Sequence, residues 1–158
     1  MNPPGVVKNL ALGRTEVTDA GIERLAGCTA LEWLDLSFTK TTDAGIARVA
    51  GATGLRRLNL EGTAVTDAAL EVISRFSQLE ELDLSDTQIT DAGIARLADL
   101  KNLKELWLTK TQVTDACLAG LQELKQLEFL EVSQTNVSAD ALANLKAKLP
   151  QLNRQTDN

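Results

Sequence analysis

The stretch LEELDLSDTQITDAGIARL, residues 79–97, decides the fold, because its pattern returns every 24 residues along the chain. In its first half, Leu79, Leu82 and Leu84 follow the spacing Leu-x-x-Leu-x-Leu. Alternation of apolar and polar residues over so short a run predicts a β-strand with one buried side. The middle leucine of the spacing recurs at Leu10, Leu34, Leu58, Leu82, Leu106 and Leu130. Internal repetition therefore organises the chain.

The second half of each copy predicts a short helix. In the copy quoted above, Thr90 is a good N-cap residue, and Asp91 places an acid in the first helical turn, where the helix dipole favours it. Ile94 and Leu97 then stand three residues apart, so one face of the helix is apolar. Small residues early in each helix predict close packing of helix on strand: Gly21, Gly45, Ala69, Gly93, Cys117 and Ala141.

One strand and one short helix cannot bury an apolar face alone, whereas a stack of such units can. The sequence therefore predicts an α/β solenoid with a parallel sheet on one side and helices on the other. Its six repeats span about 7–30, 31–54, 55–78, 79–102, 103–126 and 127–150, and residues 153–158 form the polar tail of a single domain, 1–158. A threonine ladder is expected to bond backbone groups of the loops: Thr15, Thr39, Thr63, Thr87, Thr111 and Thr135.

The repeated pattern Leu-x-x-Leu-x-Leu-x-x-Thr-x-Val-Thr-Asp-Ala-Gly-x-x-x-Leu resembles a leucine-rich repeat. It is most similar to the helix-containing ribonuclease-inhibitor-like and bacterial classes. The resemblance covers most of the chain and implies a right-handed horseshoe with a concave parallel sheet, convex helices and a protein-binding role. Threonine stands where the family often has asparagine or cysteine, and no cysteine-rich cap flanks the array.

Residues between the ladder leucines point away from the core, because side chains alternate across a strand. We call the surface that they form the concave face. It is expected to expose Trp33, Phe38, Trp107 and Phe129, leaving Phe76 at a core position. Its charged positions are mainly acidic: Asp35, Glu61, Glu81, Asp83, Asp86, Glu105 and Glu131 stand against Arg14, Arg57 and Lys110. A tryptophan exposed on a sheet is a typical binding anchor.

Two groups of aromatic residues are expected on this face. Trp107 and Phe129 lie on adjacent strands and are predicted to form one patch surrounded by acids. Trp33, three strands away, is predicted to lie too far from Trp107 to join it and to stack on Arg57. For Trp33, a self-contained ladder with Arg57 and Glu81 and a binding role both stay open. The predicted partner-binding residues are Trp33, Asp35, Arg57, Glu81, Asp83, Glu105, Trp107, Phe129 and Glu131.

Composition argues against several function classes. The chain has no histidine, which removes Ser-His-Asp and Cys-His catalysis and histidine-ligated zinc. Its net charge of −6 disfavours a nucleic-acid partner. Carboxylates on an open sheet are poor general acids, because a raised pKa needs burial, and they lack the loop geometry of calcium sites. We therefore predict no catalytic residues, no metal and no cofactor.

The sequence thus predicts a non-catalytic protein–protein interaction scaffold. Its partner is expected to be a protein or peptide with a basic segment, bound on the concave face, with no nucleic acid and no membrane. No secretory signal or membrane span is visible, and Cys28 and Cys117 lie too far apart in the repeat array to pair. Unpaired thiols favour a reducing compartment, so a cytoplasmic location is expected.

The alternative is a structural or engineered repeat segment, or a fragment of a larger multidomain protein. Such a chain would associate end to end through uncapped ends. Residues 6–12, which follow Pro3-Pro4-Gly5, are expected to form an unprotected edge strand. At the other end, residues 149–152 resemble the beginning of a seventh turn.

Overall fold

The computed structural model describes residues 7–152, and these residues form six turns of a right-handed solenoid. The predicted ends at Met1–Val6 and the tail 153–158 lie outside the described residues. Each repeat contributes one three-residue strand: β1 Asn9–Ala11, β2 Trp33–Asp35, β3 Arg57–Asn59, β4 Glu81–Asp83, β5 Glu105–Trp107 and β6 Phe129–Glu131. The strands form a single parallel sheet in chain order, as predicted.

A short helix follows each strand on the opposite side of the core. The helices are α1 Asp19–Ile22, α2 Asp43–Arg48, α3 Asp67–Ile73, α4 Asp91–Ile94, α5 Leu118–Leu121 and α6 Ala139–Lys148. Three of them run on from, or into, 3₁₀ turns at Glu23–Leu25, Ala95–Asp99 and Asp115–Cys117. Within residues 7–152, none of these helices has the length and hydrophobicity that a membrane span requires.

The ladder leucines fill the core, and the predicted threonine ladder is confirmed. Leu34, Leu58, Leu82 and Leu106 are almost wholly buried. Each threonine hydroxyl donates to the carbonyl of the residue three positions earlier, as Thr39 does to Leu36 at 2.7 Å. The bond lies within a repeat and closes the turn that follows the strand. A buried carbonyl is thereby satisfied that would otherwise cost free energy.

The aspartates at the helix starts do more than the predicted dipole role. Asp67 accepts hydrogen bonds from the backbone N–H of Thr90 at 2.8 Å and from its hydroxyl at 2.6 Å. The Thr90 oxygen in turn accepts from the N–H of Ala92 at 3.3 Å, which caps α4. The same carboxylate-to-threonine or carboxylate-to-serine pair joins every neighbouring pair of repeats: Asp19 with Thr42, Asp43 with Thr66, Asp67 with Thr90, Asp91 with Thr114 and Asp115 with Ser138.

This aspartate ladder explains two of the small residues, for which the prediction of helix-on-strand packing was wrong. A Cβ added at Gly45 would overlap the Asp19 carboxylate and crowd the side chain of Ile22. A Cβ added at Gly93 would likewise overlap Asp67. Both glycines therefore allow one helix to approach the helix of the preceding repeat. The close contact is between helices of successive turns.

A second ladder, which sequence reasoning missed, lies where the chain enters the strands. Lys8 bonds to Glu32 at 2.7 Å, and Glu80 bonds to both Arg56 at 2.6 Å and Lys104 at 2.7 Å. The register alternates in sign throughout: Lys8, Glu32, Arg56, Glu80, Lys104 and Glu128. Exposed ion pairs contribute about 0–1 kcal/mol each. If a repeat paired with the next repeat but one, residues of like charge, such as Lys8 and Arg56, would lie side by side.

The two ends of the described array differ. On β1, Leu10 is half-buried, in keeping with an edge strand. After α6, Leu149 and Leu152 are buried at 1% and 2% exposure, so residues expected to begin a seventh turn complete the core of the sixth repeat. The side chain of Gln151 also donates to the backbone carbonyl of Lys125 in the preceding repeat.

Candidate binding site on the concave face

The strand register sets the side chains of the concave face in columns. One column runs Trp33, Arg57, Glu81, Glu105 and Phe129 across β2 to β6. The next runs Asp35, Asn59, Asp83, Trp107 and Glu131. All nine predicted site residues therefore lie in the strands of one sheet. The 24-residue spacing alone was sufficient to align them.

Trp107 and Phe129 meet as predicted, with ring centroids 5.1 Å apart and planes tilted by 46°. The expectation that Phe129 is exposed was wrong, because only 7% of its surface reaches solvent. Trp107 packs against it from the neighbouring strand, and aromatic rings in such tilted pairs exclude water from each other. Phe129 therefore supports Trp107 from the side, and the half-buried indole of Trp107 is the face presented to solvent.

Trp33 and Trp107 border the same depression in the sheet surface, whose volume is about 360 Å³. Trp33 does not join the Trp107–Phe129 pair, but it lines the same depression as Trp107. The two indoles stand on β2 and β5, and side chains of the intervening strands wall the space between them: Arg57, Asn59, Glu81 and Asp83.

At one end of the depression, Arg57 lies over the indole of Trp33, with its guanidinium carbon 5.7 Å from the ring centroid. This confirms the predicted stacking. Glu81 follows Arg57 in the same column, where burial raises its pKa and the positive charge of Arg57 acts in the opposite direction. The chain therefore supplies an indole, a guanidinium and a carboxylate in sequence across three strands.

Side chains of the second column accept hydrogen bonds that close the turns after the strands, which the sequence did not reveal. Asp83 accepts a hydrogen bond from the N–H of Ser85 at 2.9 Å, which closes the turn after β4. Asp35, Asn59 and Glu131 make the equivalent bond to Ser37, Glu61 and Ser133, each at 2.9 Å. Trp107 occupies the same register in the fifth repeat and has no side-chain oxygen to offer. In the fifth repeat, an indole ring therefore replaces the side-chain oxygen that closes this turn in the other repeats.

Burial perturbs the carboxyl groups of this surface. It raises the pKa of Asp83, while the hydrogen bonds from Ser85 act in the opposite direction. Burial also raises the pKa of Glu81, against the attraction of Arg57 and together with repulsion from Glu105. Burial and repulsion from Asp83 raise the pKa of Glu61. The face therefore holds negative charge at a cost that a neighbouring cation would relieve.

Phe38, which the sequence predicted to be exposed on the concave face, is the most exposed large apolar side chain of the described chain. Phe38 is 37% exposed and adopts a left-handed backbone conformation, with φ of 53°. Arg14 lies over its ring at 4.4 Å, and the ring packs against Gly62. The same left-handed turn recurs in every repeat: Arg14, Phe38, Gly62, Asp86, Lys110 and Gln134. Gly62 was the one sequence signal for it.

The comparisons with known proteins agree with this architecture. Residues 77–121 match the family described as Leucine Rich repeats (2 copies). An internalin (InlF) from Listeria monocytogenes superposes with a TM-score of 0.68 at 23% identity, covering 96% of this chain and 48% of its own. An internalin C2 (InlC2) of the same organism superposes with a TM-score of 0.68 at 26% identity, covering 94% of this chain and 70% of its own.

The chain has the fold of the leucine-rich-repeat proteins. It spans about half the length of the InlF structure. No curated protein matches this chain. Leucine-rich-repeat proteins with this fold are generally protein-interaction modules, because their stacked strands present a continuous concave surface.

Among residues 7–152, no three histidine, cysteine or acidic side chains are grouped so as to hold a metal ion. Both cysteines are free and buried, and burial raises the pKa of the Cys117 thiol to about 12. A thiol of this kind is a poor nucleophile, since the thiolate is the reactive form. Two indoles, one guanidinium and two carboxylates line the depression.

Proposed function

We propose that this leucine-rich-repeat protein is a non-catalytic scaffold that binds a basic segment of a protein partner on its acidic, aromatic-anchored concave face. The observation that carries the proposal is the depression bordered by Trp33 and Trp107. Trp107 occupies the position at which Asp35, Asn59 and Asp83 accept a hydrogen bond from the backbone N–H two residues later. A residue that departs from the local structural rule marks a position where function outweighs stability.

The size of the face favours a short partner segment. Strands about 4.8 Å apart make a six-stranded sheet about 24 Å wide, and three exposed residues along each strand extend it to about 20 Å. The resulting footprint of about 500 Å² is smaller than the ~800 Å² that each partner contributes to a standard interface. An extended peptide fits this area better than a folded domain does.

The acids supply attraction and orientation. Glu81 and Asp83 on β4 lie between the two tryptophans, and Glu105 follows on β5. Because their potential reaches several ångströms into solvent, a basic segment is steered toward the sheet before contact. The affinity then comes from the indole surfaces that it covers.

Selection from a peptide-display library tests this function. Peptides are selected on the wild-type protein and measured against Trp107→Asn, a change that restores a turn acceptor of the kind Asn59 provides. The matched control is Phe38→Asn, which removes an exposed aromatic ring outside the depression. We expect enrichment of basic peptides whose affinity falls at least about tenfold with Trp107→Asn, as for a typical hot spot, and hardly at all with Phe38→Asn. Equal binding to all three proteins would refute the proposed face.

We also propose that the chain forms a single domain and is located in the cytoplasm. A single domain in the cytoplasm is consistent with two buried, unpaired cysteines. Thiol labelling of the protein freshly isolated from its source tests this part. Two reactive thiols after denaturation without reductant support a reducing compartment, whereas a disulfide contradicts it.

A second candidate function is end-to-end association between copies of the chain, which the alternating charge ladder favours. The described ladder starts with Lys8 and reaches Glu128, so head-to-tail stacking would continue the alternation. Leu12 near β1 and Val132 near β6 are only partly buried. Light scattering over a concentration series tests it. Growth in mass that Glu128→Lys abolishes supports association, and a monomer at every concentration removes this function.

A further inference from the structure

The two ends of the depression differ in one respect. At the Trp33 end, Arg57 lies against the indole and Glu81 stands beside Arg57, so the cation is supplied by the chain itself. At the Trp107 end, the register partner of the indole on β4 is Asp83. Of the described residues that line the depression, Arg57 alone is cationic, and it stacks on the other tryptophan.

The Trp107 end therefore has the indole and the carboxylates of the Trp33 arrangement without its guanidinium. Asp83 has one carboxylate oxygen bound to the Ser85 N–H, which fixes the orientation of the group. Glu81 lies two residues earlier on the same strand, about 6.7 Å away along the backbone and on the same side. Two carboxylates beside an aromatic face form a cradle for a planar cation.

We infer that the Trp107 end of the depression is an arginine subsite, in which a guanidinium of the bound partner stacks on Trp107 and bonds to Asp83 and Glu81. The inference rests on the proposed function and names the side chain that the depression recognises. It makes the partner's arginine the counterpart of Arg57, so that each indole carries one guanidinium in the complex.

The shape and charge of the site favour arginine over other occupants. A volume of about 360 Å³ accommodates one long side chain and some water. A guanidinium is planar, stacks on indole and donates to two carboxylates at once, whereas an ammonium is a compact and strongly hydrated point charge. A phosphate or a carboxylate would be repelled by Glu81 and Asp83. Binding a cation also offsets the burial that raises the pKa values of these two groups.

The composition of the chain makes the subsite directly observable. The protein has two tryptophans and no tyrosine, and both tryptophans border the depression. Their two indole N–H signals in an NMR spectrum of the full chain therefore report on the site. The probe is the peptide acetyl-Gly-Arg-Gly-amide, with acetyl-Gly-Lys-Gly-amide as its comparison. Trp33→Phe assigns the remaining indole signal to Trp107.

We expect the arginine peptide to shift the Trp107 signal in a saturable way and to bind at least fivefold more tightly than the lysine peptide. Asp83→Asn should weaken the arginine peptide at least fivefold. This variant keeps a turn acceptor, as Asn59 does in the preceding repeat, so the fold is preserved. The control variant, Asp99→Asn, removes one charge from an exposed side chain at the end of the 3₁₀ turn Ala95–Asp99, outside the depression, and should change the affinity less than twofold.

An unsaturable shift, equal affinity for the two peptides, or equal effects of Asp83→Asn and Asp99→Asn would each overturn the inference. Failure here is distinct from failure of the proposed function. Library peptides that depend on Trp107 but lose nothing on replacement of their arginines would refute the arginine subsite and keep the scaffold. An arginine peptide that binds as expected, with no Trp107-dependent library peptide, would support the subsite and refute the scaffold.

Discussion

Removing the Asp67 carboxylate perturbs the contact between two central repeats. Asp67→Ala deletes the acceptor for both the backbone N–H and the hydroxyl of Thr90, at 2.8 and 2.6 Å. A hydrogen bond to a charged group contributes about 1.5–3 kcal/mol when buried. Asp67 is half-buried, so water replaces part of each bond. We therefore expect a loss of about 2–3 kcal/mol in the free energy of unfolding.

The end of the same ladder provides the matched control. Asp115 makes the equivalent bonds to Ser138, but both residues are exposed. Asp115→Ala should cost about 1 kcal/mol, because solvent there compensates the lost bonds. Asp67→Asn keeps one acceptor oxygen for the Thr90 N–H and should lie between the two.

Urea denaturation followed by circular dichroism measures these differences. For a chain of this length, a loss of 2–3 kcal/mol corresponds to a fall of roughly 4–12 °C in melting temperature. The urea slope should stay unchanged, since the buried area is the same. A loss below about 0.5 kcal/mol for Asp67→Ala, or an equal loss for Asp115→Ala, would show that the ladder does not hold the repeats together.

Three further predictions concern single residues. Asp83→Asn should raise the melting temperature at pH 7 and leave it unchanged near pH 3. The reason is that a carboxyl group whose pKa is raised in the folded state destabilises the fold only when the pH rises above about 4 and the group ionises. An equal rise in melting temperature at both pH values would contradict this cause. Gly62→Ala should cost about 1–3 kcal/mol, because φ is 66° and the new Cβ meets the ring of Phe38, and adding Phe38→Ala should recover part of the loss in urea denaturation. Cys117 should resist a thiol reagent at pH 8 until the protein unfolds, since its pKa is about 12; rapid labelling of the native protein would contradict its burial.

The repeat pattern was sufficient to predict the strands, their order and their register. Leu34, Leu58 and Leu82 recur at one spacing, and a spacing common to all repeats leaves a single way to align neighbouring strands. The threonine ladder followed for the same reason, because a buried loop carbonyl needs a donor and Thr39 stands beside it. These predictions depended on periodicity alone.

The features that were missed depend on what neighbouring side chains do to one another. Alternation placed Phe129 on the outer face, yet could not show that Trp107 would cover it. The helix-start aspartates looked like local dipole partners, because their acceptor role needs the next repeat 23 residues later. The left-handed turn at Phe38 was hidden by a bulky residue that rarely adopts it.

The depression between Trp33 and Trp107 is the surface at which we propose that a partner binds. The most direct test is titration of the protein, labelled at its two indoles, with the strongest peptide from the display library. Both indole signals should shift with one common midpoint, while the backbone signal of Gly62, beside Phe38, stays in place. Saturable binding that leaves both indole signals unmoved would contradict it.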